Sequence, residues 1–135
     1  AKKAHQKEEY LERFKKLILN HQTEIYKESF TIKVGNKIKI IKADEAVCFY
    51  SFDNATYIKT DTNNYIISDS LTSLEADLNP KDFFRVNRTF IINKTTLKEM
   101  INYSNSRLKL ILNVDIKAEI IVSRERVKEF KNWID

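Results

Sequence analysis

A basic segment in the middle of the chain carries the side chains best suited to contact another molecule. Residues 83–94 contain no acidic residue, and their three cations are Arg85, Arg88 and Lys94. Asn87 and Thr89 flank Arg88 and stand between apolar positions that anchor the segment in a core. Asn can pair with adenine, Arg with guanine, and Thr can contact a phosphate or a thymine methyl. These residues fit contacts with a nucleic acid, but the same composition also fits an ordinary solvated strand end.

A second basic point is the sequence Ser123-Arg124-Glu125-Arg126, which precedes an apolar helical pattern. We expect Ser123 to cap a closing helix over residues 124–134. The free N–H groups and positive dipole of such a helix end attract phosphate, and arginines there would reinforce the attraction. First turns usually favour Asp and Glu, so two arginines favour a functional interpretation over an ion pair that only adds stability.

The third candidate is the hairpin tip Phe52-Asp53-Asn54-Ala55-Thr56. It is short and polar, and aromatic residues flank it. Alone it indicates only a turn. Asp53, Asn54 and Thr56 become candidate contacts if the tip lies beside the other two points.

The sequence lacks the residue sets that catalysis or metal binding needs. The two histidines, His5 and His21, are sixteen positions apart in the N-terminal segment, which does not predict a zinc site. A glycine-rich phosphate loop cannot form with Gly35 as the single glycine. Cys48 is the only cysteine, and we expect a small buried hydrophobe there. We therefore expect no enzyme activity, no metal and no cofactor.

Composition narrows the class of partner and the compartment. A formal charge of +5 favours polyanionic partners without proving one. A lone cysteine cannot form an internal disulfide, which suits a reducing compartment. No stretch approaches the roughly 18 consecutive apolar residues that span a bilayer. We expect a protein of the cytoplasm that does not insert into membranes.

The spacing of apolar residues predicts a mainly β domain with short helices. Residues 1–28 read as a helix with a narrow apolar stripe. Alternation then predicts a hairpin with a turn at Gly35-Asn36; its apolar positions are Phe30, Ile32, Val34, Ile38 and Ile40. Further strands are predicted at about 45–52, 55–60, 65–68, 83–86, 99–103, 107–112 and 115–122, with 89–98 ambiguous.

A short helix over 71–78, capped by Ser70, interrupts the strands and places Leu71, Leu74 and Leu78 in the core. Many short strands without βαβ alternation indicate an antiparallel sandwich or barrel-like domain.

The order of these motifs resembles the LytTR DNA-binding domain family over about residues 29–134. The central segment of that family typically reads Phe-x-Arg-Val-His-Arg-Ser-x-Ile-Val-Asn. Thr89 replaces the serine and Asn87 the histidine, and the matching residues are Arg85, Val86, Arg88, Ile91 and Asn93. The later step Val122-Ser123-Arg124 also looks like the family's. Two separated motifs in the right order are more specific than either alone.

The resemblance implies an elongated antiparallel β-sandwich that inserts loops into successive major grooves of double-stranded DNA. Those loops would be 53–56, 87–89 and 123–126. Arg88 and Arg124 would contact phosphate or guanine and Asn87 a base edge, while Asn93 and Phe84 would support them. The full set of expected DNA-binding residues is Asp53, Asn54, Thr56, Arg85, Asn87, Arg88, Thr89, Asn93, Lys94, Ser123, Arg124, Glu125 and Arg126.

The resemblance also implies a place C-terminal to a receiver domain in a bacterial two-component response regulator. We expect residues 1–28 to be a helical linker from that receiver and residues 29–135 to be the DNA-binding domain, which fits a start at Ala1 rather than Met. A homodimer on paired or repeated half-sites would follow. The alternative is a β-sandwich protein-interaction module whose N-terminal helix is the docking surface.

Overall fold

The computed structural model of this chain describes residues 7–16 and 25–135. Helix α1 covers residues 7–16 and exposes Leu11 and Phe14 of the predicted stripe. The predicted helix over 1–28 is wrong at its end, because residues 25–28 lie outside any helix and the amide of Lys27 bonds the carbonyl of Asp77 instead of a preceding turn. His5, Ile18 and His21 lie outside the described residues.

Within these two ranges the strands form three antiparallel sheets, of two, five and three strands. The strand bounds are β1 Ser29–Val34, β2 Lys37–Lys42, β3 Cys48–Phe52, β4 Ala55–Lys59, β5 Asn64–Ile67, β6 Phe83–Arg85, β7 Phe90–Asn93, β8 Leu97–Tyr103, β9 Arg107–Leu112 and β10 Ile120–Val122. The helices that follow are α2 Leu71–Asp77 and α3 Val127–Ile134, and 3-10 turns cover Ala43–Glu45, Lys94–Thr96 and Arg124–Arg126.

The five-stranded sheet, in the order β5-β4-β3-β7-β6, separates two hydrophobic cores. The β1–β2 hairpin and α2 cover one face, and the β10-β9-β8 sheet and α3 cover the other. Alternation sends neighbouring residues of β3 into different cores, since Phe49 belongs to the first and Cys48 to the second. The predicted mainly antiparallel β-sandwich with short helices is confirmed.

The β1–β2 hairpin forms with the predicted turn, but its inward face differs from the prediction. Gly35 has a φ of +62°, the left-handed conformation that glycine adopts easily. The register pairs Phe30 with Ile41, so Ile41 is buried, whereas Ile38 and Ile40 are exposed. The strand Lys37–Lys42 has apolar residues on both of its faces, and the pairing register turns the face with Ile41 toward the core.

Helix α2 follows its predicted cap. The hydroxyl of Ser70 accepts a hydrogen bond from the amide of Ser73 at 3.1 Å, and Leu71 and Leu74 are buried against the central sheet. The ambiguous stretch resolves into β7 and the start of β8. The predicted strand over 115–122 is shorter, since pairing with β9 begins at Ile120.

Candidate functional site

The three predicted loops meet at one end of the sandwich. We call them the β3–β4 turn (52–55), the β6–β7 loop (86–89) and the β10–α3 turn (123–126). The amide of Ser51 donates to the carbonyl of Thr89 at 3.0 Å, and the amide of Ser123 donates to the carbonyl of Val86 at 3.0 Å. Backbone hydrogen bonds therefore place the β6–β7 loop between the other two segments.

Asn87 organises the β6–β7 loop. Its Oδ1 accepts hydrogen bonds from the amide of Thr89 at 2.8 Å, the hydroxyl of Thr89 at 3.1 Å and the amide of Phe90 at 2.9 Å. Its Nδ2 donates to the carbonyl of Ile121 on β10 at 2.7 Å. The side chain is half-buried and uses its acceptor within the protein, so the expected base-edge contact would have to displace these bonds.

Arg85 was expected to contact DNA, but its guanidinium faces inward with a side-chain exposure of 16%. It donates to the carbonyls of Asn87 and Arg88 at 3.2 and 3.0 Å. It also bonds Thr72 and Glu75 of α2, at 3.3 and 3.0 Å. Arg85 therefore clamps the loop to α2, and Arg88 and Thr89 are the loop residues with exposed side chains.

The β10–α3 turn differs from the predicted helix start. Ser123 forms no side-chain cap, because its hydroxyl points to the carbonyl of Val86 at 3.4 Å. Residues 124–126 form a 3-10 turn, and the amide of Arg126 bonds the carbonyl of Ser123 at 2.9 Å. That amide is not free for a phosphate. The exposed side chains of the turn are Arg124 and Glu125.

Arg126 is half-buried beside Arg85. Its guanidinium donates to the backbone carbonyl of Arg85 at 3.0 Å and lies 3.7 Å from the carboxylate of Glu75. Glu75 thus faces two arginines. The two arginines connect β6, α2 and the β10–α3 turn. The side chain of Arg126 is in this way engaged within the protein.

The β3–β4 turn is tight. Asp53 and Asn54 have φ angles of 50° and 61°, which is the pattern of a two-residue hairpin turn that matches strand twist. Both side chains are exposed, and Thr56 is half-buried on β4. The turn thus presents a carboxylate and an amide at the same end as Arg88.

Asn93 and Lys94 lie at the other end of β7 and do not join the site. Asn93 is 3% exposed, donates to the carbonyl of Ala46 at 2.8 Å and accepts from the amide of Thr95 at 3.1 Å. Lys94 donates to the carbonyl of Trp133 at 2.8 Å, at the C-terminal end of α3. Asn93 is buried and Lys94 is half-buried at this end, so the structure does not bring these two expected contacts together with the other loops.

A fourth segment, which was not predicted from the sequence to contribute, borders the site. Asn105 and Ser106, in the turn between β8 and β9, have φ angles of 59° and 61°. A groove of about 480 Å³ runs between this turn and the β10–α3 turn, and its lining includes Asn87, Arg107 and Arg124. The sequence showed a polar turn at 104–106, but no local pattern indicated that β9 carries it next to Arg124.

The site offers exposed cations and hydrogen-bonding groups. Cys48 is buried, and burial raises the pKa of its thiol to about 12. A thiolate nucleophile is therefore absent near neutral pH. Among the described residues, no group of His, Cys, Asp and Glu could hold a metal ion, and no helix is long and apolar enough to cross a membrane.

Comparison with known proteins adds a family and several relatives. The model of the family described as "LytTr DNA-binding domain" matches residues 36–135. The "Sensory transduction protein LytT" of Bacillus subtilis is 33% identical over 103 residues, which are 76% of this chain and 42% of that protein. The "Transcriptional regulatory protein LytR" of Staphylococcus aureus is 28% identical over 84% of this chain and 46% of its own length.

The chain thus spans less than half the length of these curated relatives. Among solved structures, a LytTr DNA-binding domain from Bacillus cereus has a TM-score of 0.70 and 21% sequence identity. The match covers 80% of this chain and 97% of the solved one. At that identity the likeness shows the shared fold.

Proposed function

Because the chain belongs to the LytTr DNA-binding domain family, we propose that it binds double-stranded DNA with sequence specificity. The contacts come from the end of the sandwich where the β3–β4 turn, the β6–β7 loop and the β10–α3 turn meet. Arg88 and Arg124 contact phosphate or guanine, with Thr89, Asp53 and Asn54 as further polar contacts. The observation that carries the proposal is the set of backbone hydrogen bonds that holds these loops together.

We assign the contacts to loops because the exposed Arg88 and Arg124 lie in loops, while α3 packs on the core along its apolar side. Phe130 is fully buried, and its ring packs edge-on against Phe84 at 5.6 Å between centroids. Trp133 packs on the same two rings, and its indole N–H bonds the carbonyl of Pro80 at 2.7 Å. These contacts hold α3 against the core beside the β10–α3 turn.

We place this domain in a longer regulator of transcription, because its relatives bear the names of a sensory transduction protein and a transcriptional regulatory protein. In this proposal residues 29–135 form the DNA-binding domain and residues 1–28 link it to a receiver domain. The protein works in the cytoplasm, without enzymatic activity in this domain, and binds paired or repeated half-sites as a homodimer.

Electrophoretic mobility shift of the 135-residue chain against genomic fragments, at two salt concentrations, tests the proposal. We expect fragment-selective retention that weakens at the higher salt, because cations bound to phosphates release counterions. Selection from a random DNA pool then gives the operator. No retention at low salt would overturn the proposal and leave the protein-interaction module as the remaining reading.

A further inference from the structure

Asn87 bridges the two loops that carry the exposed arginines. It lies next to Arg88 in sequence, while its Nδ2 reaches the carbonyl of Ile121, two residues before Ser123. Among the described residues β10 is an edge strand that pairs with β9, so its outer side has carbonyls that need partners. One amide side chain thus joins the β6–β7 loop to the strand that leads into the β10–α3 turn.

The bonds of Asn87 argue against a direct reading role. Bidentate pairing with adenine needs both the amide oxygen and an amide N–H. The oxygen already accepts three hydrogen bonds, two of them from backbone amides. Releasing it would leave the amides of Thr89 and Phe90 without their partner and open the loop that presents Arg88.

The loop is also held from the inside by Arg85. Its guanidinium donates to the backbone carbonyls of Asn87 and Arg88. The side chain of Asn87 therefore holds backbone amides of the loop, and the side chain of Arg85 holds backbone carbonyls. The exposed side chain of Arg88 is then carried by a backbone that is held from both sides. A rigid frame of this kind lowers the entropy that binding must spend on ordering the loop.

We propose that Asn87 is a positioning residue for DNA recognition, which sets the spacing between Arg88 and Arg124 by fastening the β6–β7 loop to β10. The inference rests on the proposed DNA-binding function and deepens it. Asn87 then controls how well the two arginines engage one site together, rather than the identity of one base pair.

Two substitutions separate the bonds of Asn87. Asn87→Ala removes the three local bonds and the bond to Ile121. Asn87→Ser keeps a hydroxyl that can accept from the amides of the same turn, but it is too short to reach Ile121. Asn79→Ala is the matched control, because the Oδ1 of Asn79 accepts from the amide of Lys81 at 3.0 Å at the far end of β6.

The experiment measures Kd for the selected operator and for single-base-pair variants of it, with thermal midpoints as a check on folding. We expect Asn87→Ala and Asn87→Ser each to weaken operator binding about tenfold or more. They should reduce discrimination at the base pairs read by both arginine loops, and Asn79→Ala should not. The salt slope should fall by less than it does in Arg88→Ala, since both arginines are still present.

A double-mutant cycle with Arg124→Ala gives a second readout that a purely stabilising role would not move. If Asn87 positions the loops, Arg124→Ala costs less in the Asn87→Ala background than in the wild type. If the losses of affinity in the two single variants instead multiply in the double variant, Asn87 does not act through Arg124. That result, or a loss of discrimination at a single base pair, would overturn the inference in favour of a direct contact between Asn87 and a base. If the wild type itself does not bind DNA, the proposed function fails and not this assignment alone.

Discussion

The amide of Ser51 donates a hydrogen bond to the carbonyl of Thr89 at 3.0 Å, which extends the β3–β7 pairing beyond Tyr50 and Phe90 to the end of the sheet. This bond places the β3–β4 turn beside the β6–β7 loop. The turn, which by itself indicated only a hairpin tip, lies beside the β6–β7 loop as the expected contacts of Asp53, Asn54 and Thr56 require. Variants in neighbouring loops can therefore be compared on one ligand.

Arg88→Ala should weaken DNA binding without unfolding the protein. Arg88 is exposed and its guanidinium has no partner among the hydrogen bonds and ion pairs of the described residues. Removing one phosphate contact lowers the slope of log K against log salt by about 0.9, and removing a guanine contact costs about 1–3 kcal/mol. Fluorescence anisotropy with labelled operator at several salt concentrations measures both effects.

Arg124→Ala should behave in the same way from the β10–α3 turn. Lys33→Ala on the outer face of the β1–β2 hairpin is the control, because it removes one exposed cation on the other side of the central sheet. If both arginine variants bind as tightly as the wild type, with unchanged salt slopes, the assignment of the contacts is wrong.

Arg85→Ala should lower the free energy of unfolding by about 2 kcal/mol or more, because four hydrogen bonds of a largely buried cation are lost. Arg85→Lys should recover little, since a lysine cannot reproduce the planar fork. Urea denaturation followed by circular dichroism measures the loss. Glu75→Gln is the control and should cost less than about 1 kcal/mol, because Glu75 is 43% exposed.

Asn93→Ala should destabilise the fold while sparing recognition. It leaves the carbonyl of Ala46 and the amide of Thr95 without their partner in a buried site, at a cost of about 1–3 kcal/mol. Asn102→Ala on the exposed part of β8 should stay within about 0.5 kcal/mol of the wild type. Operator affinity at a temperature where the variant is folded should match the wild type; a selective loss of affinity would return Asn93 to the contact set.

The buried thiol of Cys48 predicts how the stability of the fold depends on pH. Burial in the fold raises the pKa of this thiol from 9.0 to about 12. Its contribution to stability is therefore complete below pH 9 and is lost as the pH rises from 9 toward 12, because the unfolded thiol ionises first. Denaturation midpoints across this range should fall more steeply for the wild type than for Cys48→Ala, and iodoacetamide should leave the native thiol unmodified at pH 8.

Local patterns predicted much of this fold, and long-range partners account for what they missed. Features that depend on neighbouring residues were predicted correctly, namely the turn at Gly35-Asn36, the Ser70 cap and the order of the motifs. Ser123 failed as a cap because Val86, far away in sequence, takes its amide and faces its hydroxyl. The inward turn of Arg85 likewise depends on Glu75 of another element.

The candidate site shows the same division. Residue types marked the β6–β7 loop and the β10–α3 turn, because basic and polar residues cluster there in sequence. The pattern could not separate Arg88, which is exposed, from Arg85 and Arg126, which bond other parts of the fold. It also could not bring Asn105 to Arg124, since that proximity follows from the pairing of β8, β9 and β10.

The opposite orientations of Cys48 and Phe49 on β3 bear on how the domain folds. Both cores need β3 beside β7, and that pairing joins segments separated by three strands, a helix and their loops. Closing so long a loop costs more conformational entropy than forming the β1–β2 hairpin, and it is therefore slower. Refolding should then be limited by one shared step, and stopped-flow probes placed in either core should report the same rate.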